Sequence, residues 1–581
     1  MGPPQIPMKI LLHRGSPRMF AAAVAAALCL EPLALLCAQT AAPALPIEET
    51  SVVTAPPAPK QGGLRPIRES PEMIAAALRG IPSPPAGPFE ESWQSIAQNY
   101  QDPDWFRNGK FGIMMHWGIY SVPAHGSEWY VRYMYGGNVL AGDKGNSTNA
   151  SVVQWHTEHF GPPTQFGYKD FLPMYTAAKW DPDAWAALFK KAGARYVLAP
   201  GEHHDGFSNW DSAINPYNAK NYGPKRDLVG DLIKALEKAG LKTGVSNHSS
   251  IHFDFIPPLP GSDQYDPKWA AFYNVADRSD TARTKFLHDW VAKNLELIDK
   301  YHPDMLWFDM SGGRNWDPLK LRVAAYYFNR AKEWGKEVAI SAKTDAFVTG
   351  QIMDYEREGR APMELTDWVW QPDDPITNKF GFVQGMPPYP ADQFVWKLVE
   401  NVSKNGNLLL NVSPRADGTI PPEQQDVLLA IGRWLDVNGE AIYGSRPWIK
   451  YGEGPAADAA AATMVAAKAN GFAGRLNGQN QGGPETLGGG LPRHGYKPAD
   501  IRFTTRGDTL YATIMAWPPD AVVITSLAAG QPVQGKVKKV QLLGHDGDLA
   551  FTQDAEGLKV KFPADKPCDY AYVLKLTGLK L

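Results

Sequence analysis

Cysteine is nearly missing from this chain, with three in 581 residues. Two of them, Cys29 and Cys37, lie in an apolar leader, so a chain trimmed there keeps Cys568 alone and forms no internal disulfide. An excess of one charge is missing too. Lys and Arg number 58 against 61 Asp and Glu, a formal net charge of −3. That balance offers no basic face to a phosphate backbone, and nucleic acid is excluded as the expected partner. Long apolar runs are absent apart from Met19–Cys37, which Glu31 and Pro32 interrupt. Arg14 and Arg18 precede that run and the small residues Ala38–Ala44 follow it. This is the order of a secretory signal rather than a membrane span, with a retained anchor as the alternative. Cleavage is expected between Ala38 and Ala44, and the bulk of Leu36 argues against lipid attachment at Cys37. Export without disulfides points to a secreted or periplasmic chain whose stability comes from a large core. Internal repeats and long charge runs are also missing.

What is present is ordinary for a soluble globular protein. Hydrophobic residues make up 44% and charged residues 20%, and tryptophan is abundant at 19. The length predicts two or three domains. Residues 1–44 read as the signal and 45–90 as a Pro/Ala-rich linker with a short helix over Pro71–Leu78. From about 91 to 445, apolar runs alternate with amphipathic helices. The runs are Lys110–Trp117, Arg195–Pro200, Lys242–His248, Met305–Met310, Glu337–Ala342, Gln351–Tyr355, Leu365–Trp370 and Leu408–Val412. Asp181-Pro182 and Asp227 open helices, and Gly240 and Gly439 close them. About eight such units imply an α/β fold, a (β/α)8 TIM-like barrel whose parallel strands are buried on both faces. An open doubly wound sheet is the alternative, weakened because no Gly-rich phosphate loop follows an early strand. Residues 446–581 read as a C-terminal antiparallel β-sandwich. Its Ala/Gly-rich stretch over 454–500 is expected to be a loop or flexible insertion.

Chemistry in such a barrel collects where strands end. The expected strands end in His116-Trp117, Glu202-His203-His204-Asp205, Asn247-His248, Asp309, Lys343, Asp354-Tyr355-Glu356 and Asn411. One polar residue closing a strand is usually a cap, but this many converging on one rim point to a site. A metal is not expected. Adjacent residues on a strand face opposite ways, so His203 and His204 share a ligand only if one leaves the pleat, and no His-x-His spacing is present. The histidines suit vicinal hydroxyls, and Trp117, Trp129 and Trp210 suit a stacking wall. Paired carboxylates are the usual machinery for glycosides. Asp309, closing an apolar strand, is the candidate nucleophile. Glu356, Glu358 and Glu364 are candidates for the acid/base, in that order.

Four blocks carry a family resemblance. KFGIMMHWGIYSVPAHGSEWY at Lys110–Tyr130, GARYVLAPGEHHDGFSNWDS at Gly193–Ser212, GPKRDLVGDL at Gly223–Leu232 and GNLLLNVSPRADGTIPP within Asn405–Pro422 resemble the retaining α-L-fucosidases of the glycoside hydrolases. The resemblance implies removal of terminal α-L-fucose through a covalent glycosyl-enzyme, with no cofactor. It places fucose-binding roles on His116, Glu128, His203 and His204, and the nucleophile on Asp309 in WFDM. His248 stands where many members carry a Tyr-Ser pair. DYEREG at Asp354–Gly359 resembles the DYERG of one subset with a residue inserted. Lys343 stands where others present a basic residue to the sugar. Phe380 and Phe382 are assigned to the wall that meets the sugar's methyl group. The expected partner is a fucosylated oligosaccharide or glycoconjugate. The rival readings are a carbohydrate-binding barrel without catalysis and a metal-dependent barrel hydrolase. The sandwich is expected to brace the barrel rather than bind sugar.

Overall fold

The computed structural model describes residues 69–136, 147–309, 312–343, 346–357, 361–469, 495–530 and 534–581. The expected signal and most of the expected linker lie outside them, as does Glu358.

One parallel sheet forms the barrel. Its strands are β1 (Phe111–Met115), β2 (Tyr196–Glu202), β3 (Lys242–Asn247), β4 (Met305–Phe308), β5 (Ala339–Lys343), β6 (Ile352–Asp354), β7 (Trp370–Gln371), β8 (Asp373–Pro375) and β9 (Leu408–Val412). Neighbours run in the order β7-β6-β5-β4-β3-β2-β1-β9-β8. The two edges are therefore consecutive in sequence. Pro372 lies between β7, which pairs with β6, and β8, which pairs with β9. Proline has no N–H to give to a ladder, so the break falls there while the chain carries on round the barrel. The expected strand Leu365–Trp370 is thus displaced towards its C-terminal end and divided in two. An open doubly wound sheet is excluded.

Near-continuous burial along these strands reflects helices outside and packed side chains inside. The interior holds Met114, Tyr196, Leu198, Met305, Trp307 and Leu409. Gly112 is required beside them, since a Cβ there would lie 2.2 Å from the Tyr196 ring. The helices Pro182–Lys191 and Leu228–Lys238 carry the caps read in the sequence, with the Asp181 and Asp227 carboxylates accepting from Ala184 and Gly230 N–H. Part of the expected linker is built in. The helix Pro71–Ala77 packs on the long helix Asp280–Tyr301, and Ile74, Ala77, Ile81 and Phe89 are buried.

Two antiparallel sheets follow. One contains β10 (Arg446–Glu453), β11 (Ile501–Arg506), β12 (Thr509–Ile514), β14 (Gln534–Leu542) and β17 (Tyr572–Lys580). The other contains β13 (Ala521–Ile524), β15 (Phe551–Gln553) and β16 (Leu558–Lys561). A shared apolar core built from Trp448, Phe503, Ile524, Leu574 and their neighbours holds them together. The stretch expected to be a loop opens instead with a helix, Pro455–Ala469. Its run of alanines is a strong helix former, a signal that its small-residue composition masked.

Candidate active site

At the C-terminal rim, Asp309 follows β4 directly and its N–H bonds the Asn247 carbonyl at the end of β3. Two donors hold its side chain. His204 Nε2 lies 3.0 Å from Oδ2, and Lys343 Nζ, at the end of β5, lies 2.7 Å from Oδ1. Burial works against ionisation of Asp309, but Lys343 and His204 overcome it and hold the carboxyl well below its ordinary range. His204 also donates from Nδ1 to the His248 carbonyl at 2.7 Å. Both partners of this ring are acceptors, and together they fix its orientation towards Asp309.

Lys343 gathers two more carboxylates, Asp373 at 3.3 Å and Glu356 at 3.7 Å. Those 2.7 and 3.7 Å legs, taken end to end, cap the separation of the Asp309 and Glu356 oxygens at 6.4 Å. Glu356 sits two residues past β6. The next residue, Arg357, takes a left-handed turn at φ 61°, and its N–H bonds the Asp373 carbonyl at 2.9 Å, which ties this loop to β8. Asp373 is fully buried, and burial pushes its carboxyl well above the usual range although Lys343 opposes the shift. Sequence reasoning missed Asp373, because Gln371–Pro375 has the composition of a turn.

Three further histidines line the same rim. His116 bonds Asn411 Oδ1 through Nδ1 at 2.7 Å, while Asn411 Nδ2 donates to the Phe380 carbonyl. That chain fixes the tautomer: His116 Nδ1 carries the proton and Nε2 is a free acceptor. Burial lowers His116 to about 4. Burial, reinforced by neighbouring histidines, also drives His203 and His248 well below their ordinary value. All three rings are neutral at pH 7. The His203 and His204 rings stand 4.4 Å apart. They lie beyond the last residue of β2, and the β2–β3 register shifts between Pro200 and Glu202. The pleat is already broken there, so the alternation argument that kept the pair apart does not apply.

Glu128 is buried and accepts from the Gly381 N–H at 3.0 Å, and its charge acts on His116. Trp129 stands edge-on to His204, 5.9 Å between ring centres. Phe380 lies 4.9 Å from His116. The other aromatic assignments are held by different partners. Trp117 packs in a cage of Tyr175, Trp180 and Trp185, with its indole N–H on the Arg415 carbonyl. Trp210 is buried on Glu296, and Phe382 lies under Arg415. Glu364 is exposed and its charge acts on Tyr451 of β10, away from Asp309. Several strand-end polar residues are structural. Glu202 pairs with buried Lys293, Asn247 bonds Asn294, and Asp354 accepts from Trp307 and Gln371 across the barrel. A separate cavity of about 380 Å³ behind β2, lined by Glu202, His252 and Lys293, holds none of the rim carboxylates around Lys343.

A closed parallel barrel with carboxylates and histidines gathered at its C-terminal rim has the layout of a barrel glycoside hydrolase. The α-L-fucosidase family model matches residues 82–440, and the α-L-fucosidase C-terminal domain model matches 497–577. The tissue α-L-fucosidase of Mus musculus is 29% identical over 514 residues, covering 84% of this chain and 94% of that one. The tissue α-L-fucosidase of Homo sapiens is 28% identical, covering 85% and 92%. Among solved structures, that of the Thermotoga maritima α-fucosidase in complex with fucose superposes at a TM-score of 0.62 with 28% identity, covering 84% of this chain and all of that one. The chain belongs to the α-L-fucosidase family and is a glycoside hydrolase of that activity.

Proposed function

We propose that the chain is an exported exo-glycosidase that removes terminal α-L-fucose with retention, using Asp309 as nucleophile and Glu356 as acid/base. The observation that carries this reading is the convergence of Asp309 and Glu356 on Lys343, with their oxygens no more than 6.4 Å apart along the 2.7 and 3.7 Å legs. Retaining enzymes place the pair about 5–5.5 Å apart, while inverting enzymes leave roughly 6.5–9.5 Å for a water. In the first step an Asp309 oxygen bonds to the anomeric carbon, the glycosidic C–O bond breaks, and the departing oxygen takes a proton from Glu356. In the second, Glu356 takes a proton from water, the water oxygen bonds to the same carbon, and Asp309 leaves. Asp309 loses its charge in the first step, and Lys343 then keeps Asp373 and Glu356 as partners.

His116 supports the sugar through its free Nε2, and His203, His248 and Glu128 complete the polar wall, with Phe380 against the methyl group. Export rests on the leader alone. The described residues contain no helix long and apolar enough to cross a membrane. The decisive experiment is NMR of the sugar first released from an aryl α-L-fucoside. The α anomer is expected, and initial release of the β anomer overturns retention. Asp309→Ala should lower turnover by about a thousandfold or more while L-fucose still binds.

A further inference from the structure

The rim histidines have a capacity that sugar hydrolysis does not require. One ring nitrogen from each of His116, His203 and His248 lies within 4.8 Å of the others. Three strands deliver these rings: His116 follows β1, His203 follows β2 and His248 follows β3. His203 Nδ1 and His248 Nε2 are buried with no hydrogen-bond partner. Leaving buried polar atoms unpaired costs about 1–3 kcal/mol each, so this cluster is built to accept something. The His116 ring is fixed in orientation, since Asn411 holds Nδ1 and leaves Nε2 as a lone pair. A ligating histidine is characteristically held in this way, with its second nitrogen on an oxygen acceptor.

We propose that His116, His203 and His248 together bind a borderline transition-metal dication, Zn²⁺ or Cu²⁺, in place of the sugar, and that the ion acts as a competitive inhibitor rather than a cofactor. Three neutral imidazoles match these ions and suit Mg²⁺ or Ca²⁺ poorly, because the hard ions prefer oxygen. Two nitrogens at about 2.05 Å from a tetrahedral ion stand roughly 3.3 Å apart. Closing the cluster from 4.8 Å asks for side-chain rotation of about 1.5 Å in all. No hydrogen bond at His203 Nδ1 or His248 Nε2 is broken by it. The carboxylates of Glu128 and Asp309 act on His116 and offset the incoming charge, while Lys343 opposes it. Nothing in the two-carboxylate mechanism needs this ion, so a chelator should leave the activity of metal-free protein unchanged.

Calorimetric titration of the full chain with ZnCl2 tests the proposal. One Zn²⁺ should bind per chain, and MgCl2 should give no binding heat. Saturating L-fucose should weaken Zn²⁺ binding by at least about tenfold, as should His248→Ala, and EDTA should restore activity lost to Zn²⁺. Absence of binding up to about 1 mM Zn²⁺ overturns the proposal. So does Zn²⁺ binding that neither L-fucose nor His248→Ala changes, which would place the ion elsewhere. If the variant does not fold, L-fucose competition on the unaltered chain decides alone. Only that competition arm rests on the sugar-site reading. The NMR stereochemistry tests retention separately, so the failure of one is told apart from the failure of the other.

Discussion

His204 and Lys343 each take one oxygen of Asp309, and so the carboxylate is ionised and fixed in orientation before any substrate arrives. Charge-assisted hydrogen bonds of this kind are about twice as strong as neutral ones. The partner acid is more open to solvent, its side chain 29% exposed against 11% for Asp309. Replacing it should therefore harm chemistry more than fold. Glu356→Ala should cut turnover of poor leaving groups by about a hundredfold or more. Activated aryl fucosides should be spared, and azide should restore part of the rate. If Glu358→Ala alone shows this pattern, the acid/base assignment moves to that residue. Asp205 offers a pH test. Burial raises its carboxyl to about 6 despite a 2.7 Å bond from Tyr168. Between its ordinary value near 4 and about 6 the folded chain holds a proton that the unfolded chain has lost. Stability should therefore fall as pH rises through that window, by about 3 kcal/mol at most. Asp205→Asn should flatten the slope, which urea melts at pH 4, 5, 6 and 7 would show.

At the scale of elements, legibility followed local pattern. β1 to β6 and β9 announced themselves as apolar runs ending in polar residues, and the structure keeps a strand within each. The closure between β7 and β8 did not, because two short pieces joined by a proline carry no periodicity. With it went Asp373, whose proximity to Lys343 is a tertiary fact. Trp117 and Trp210 are buried, and an abundance of tryptophan does not say which rings reach a surface. The closeness of the His203 and His204 rings was not legible, because the register shift in β2 is set by pairing with β3. Barrel closure also leaves little room inside. Gly112 faces the Tyr196 ring, and the Tyr196 hydroxyl bonds Gln371 across the interior at 2.7 Å. A methyl at position 112 would meet ring carbons at 2.2 Å. That is overpacking of a closed core, and Gly112→Ala should cost about 1–3 kcal/mol or more. Tyr196→Phe in the same background should not relieve it, since the clash is with the ring. Relief by that second change would show that the hydroxyl, not the ring, is what cannot move.

At the scale of the molecule, the barrel and the sandwich meet through buried polar pairs. Glu400, near the end of the helix Ala391–Ser403, accepts from Arg502 of β11 at 2.5 Å and from Tyr496 at 2.9 Å, and pairs with Lys404 at 2.7 Å. Trp434 donates its indole N–H to the Ala571 carbonyl, and Thr504 donates to the Ala441 carbonyl. This helix runs back along the barrel towards the start of β9, so its C-terminal end lies at the face opposite the sugar rim. At that face the sandwich bears on the barrel, which supports a bracing role. Burial raises the Glu400 carboxyl, but Arg502 and Lys404 outweigh it and bring it down to about 2. A folded value below the unfolded one gives stability that is complete above about 4.5 and is lost as pH falls towards 2. Arg502→Met removes one of the two cations and leaves the buried charge with Lys404 and Tyr496 alone, a loss of about 3–5 kcal/mol at neutral pH. The variant should also show a shallower decline in stability between pH 5 and pH 2, because its Glu400 holds a proton more readily when folded. Turnover per folded chain should stay near that of the unaltered chain, as Arg502 bonds Glu400, Glu453 and Ile501 and, among the described residues, none of the rim. A large fall in turnover with the fold intact would mean that the sandwich reaches the site through the barrel, and bracing would then be the wrong account of it.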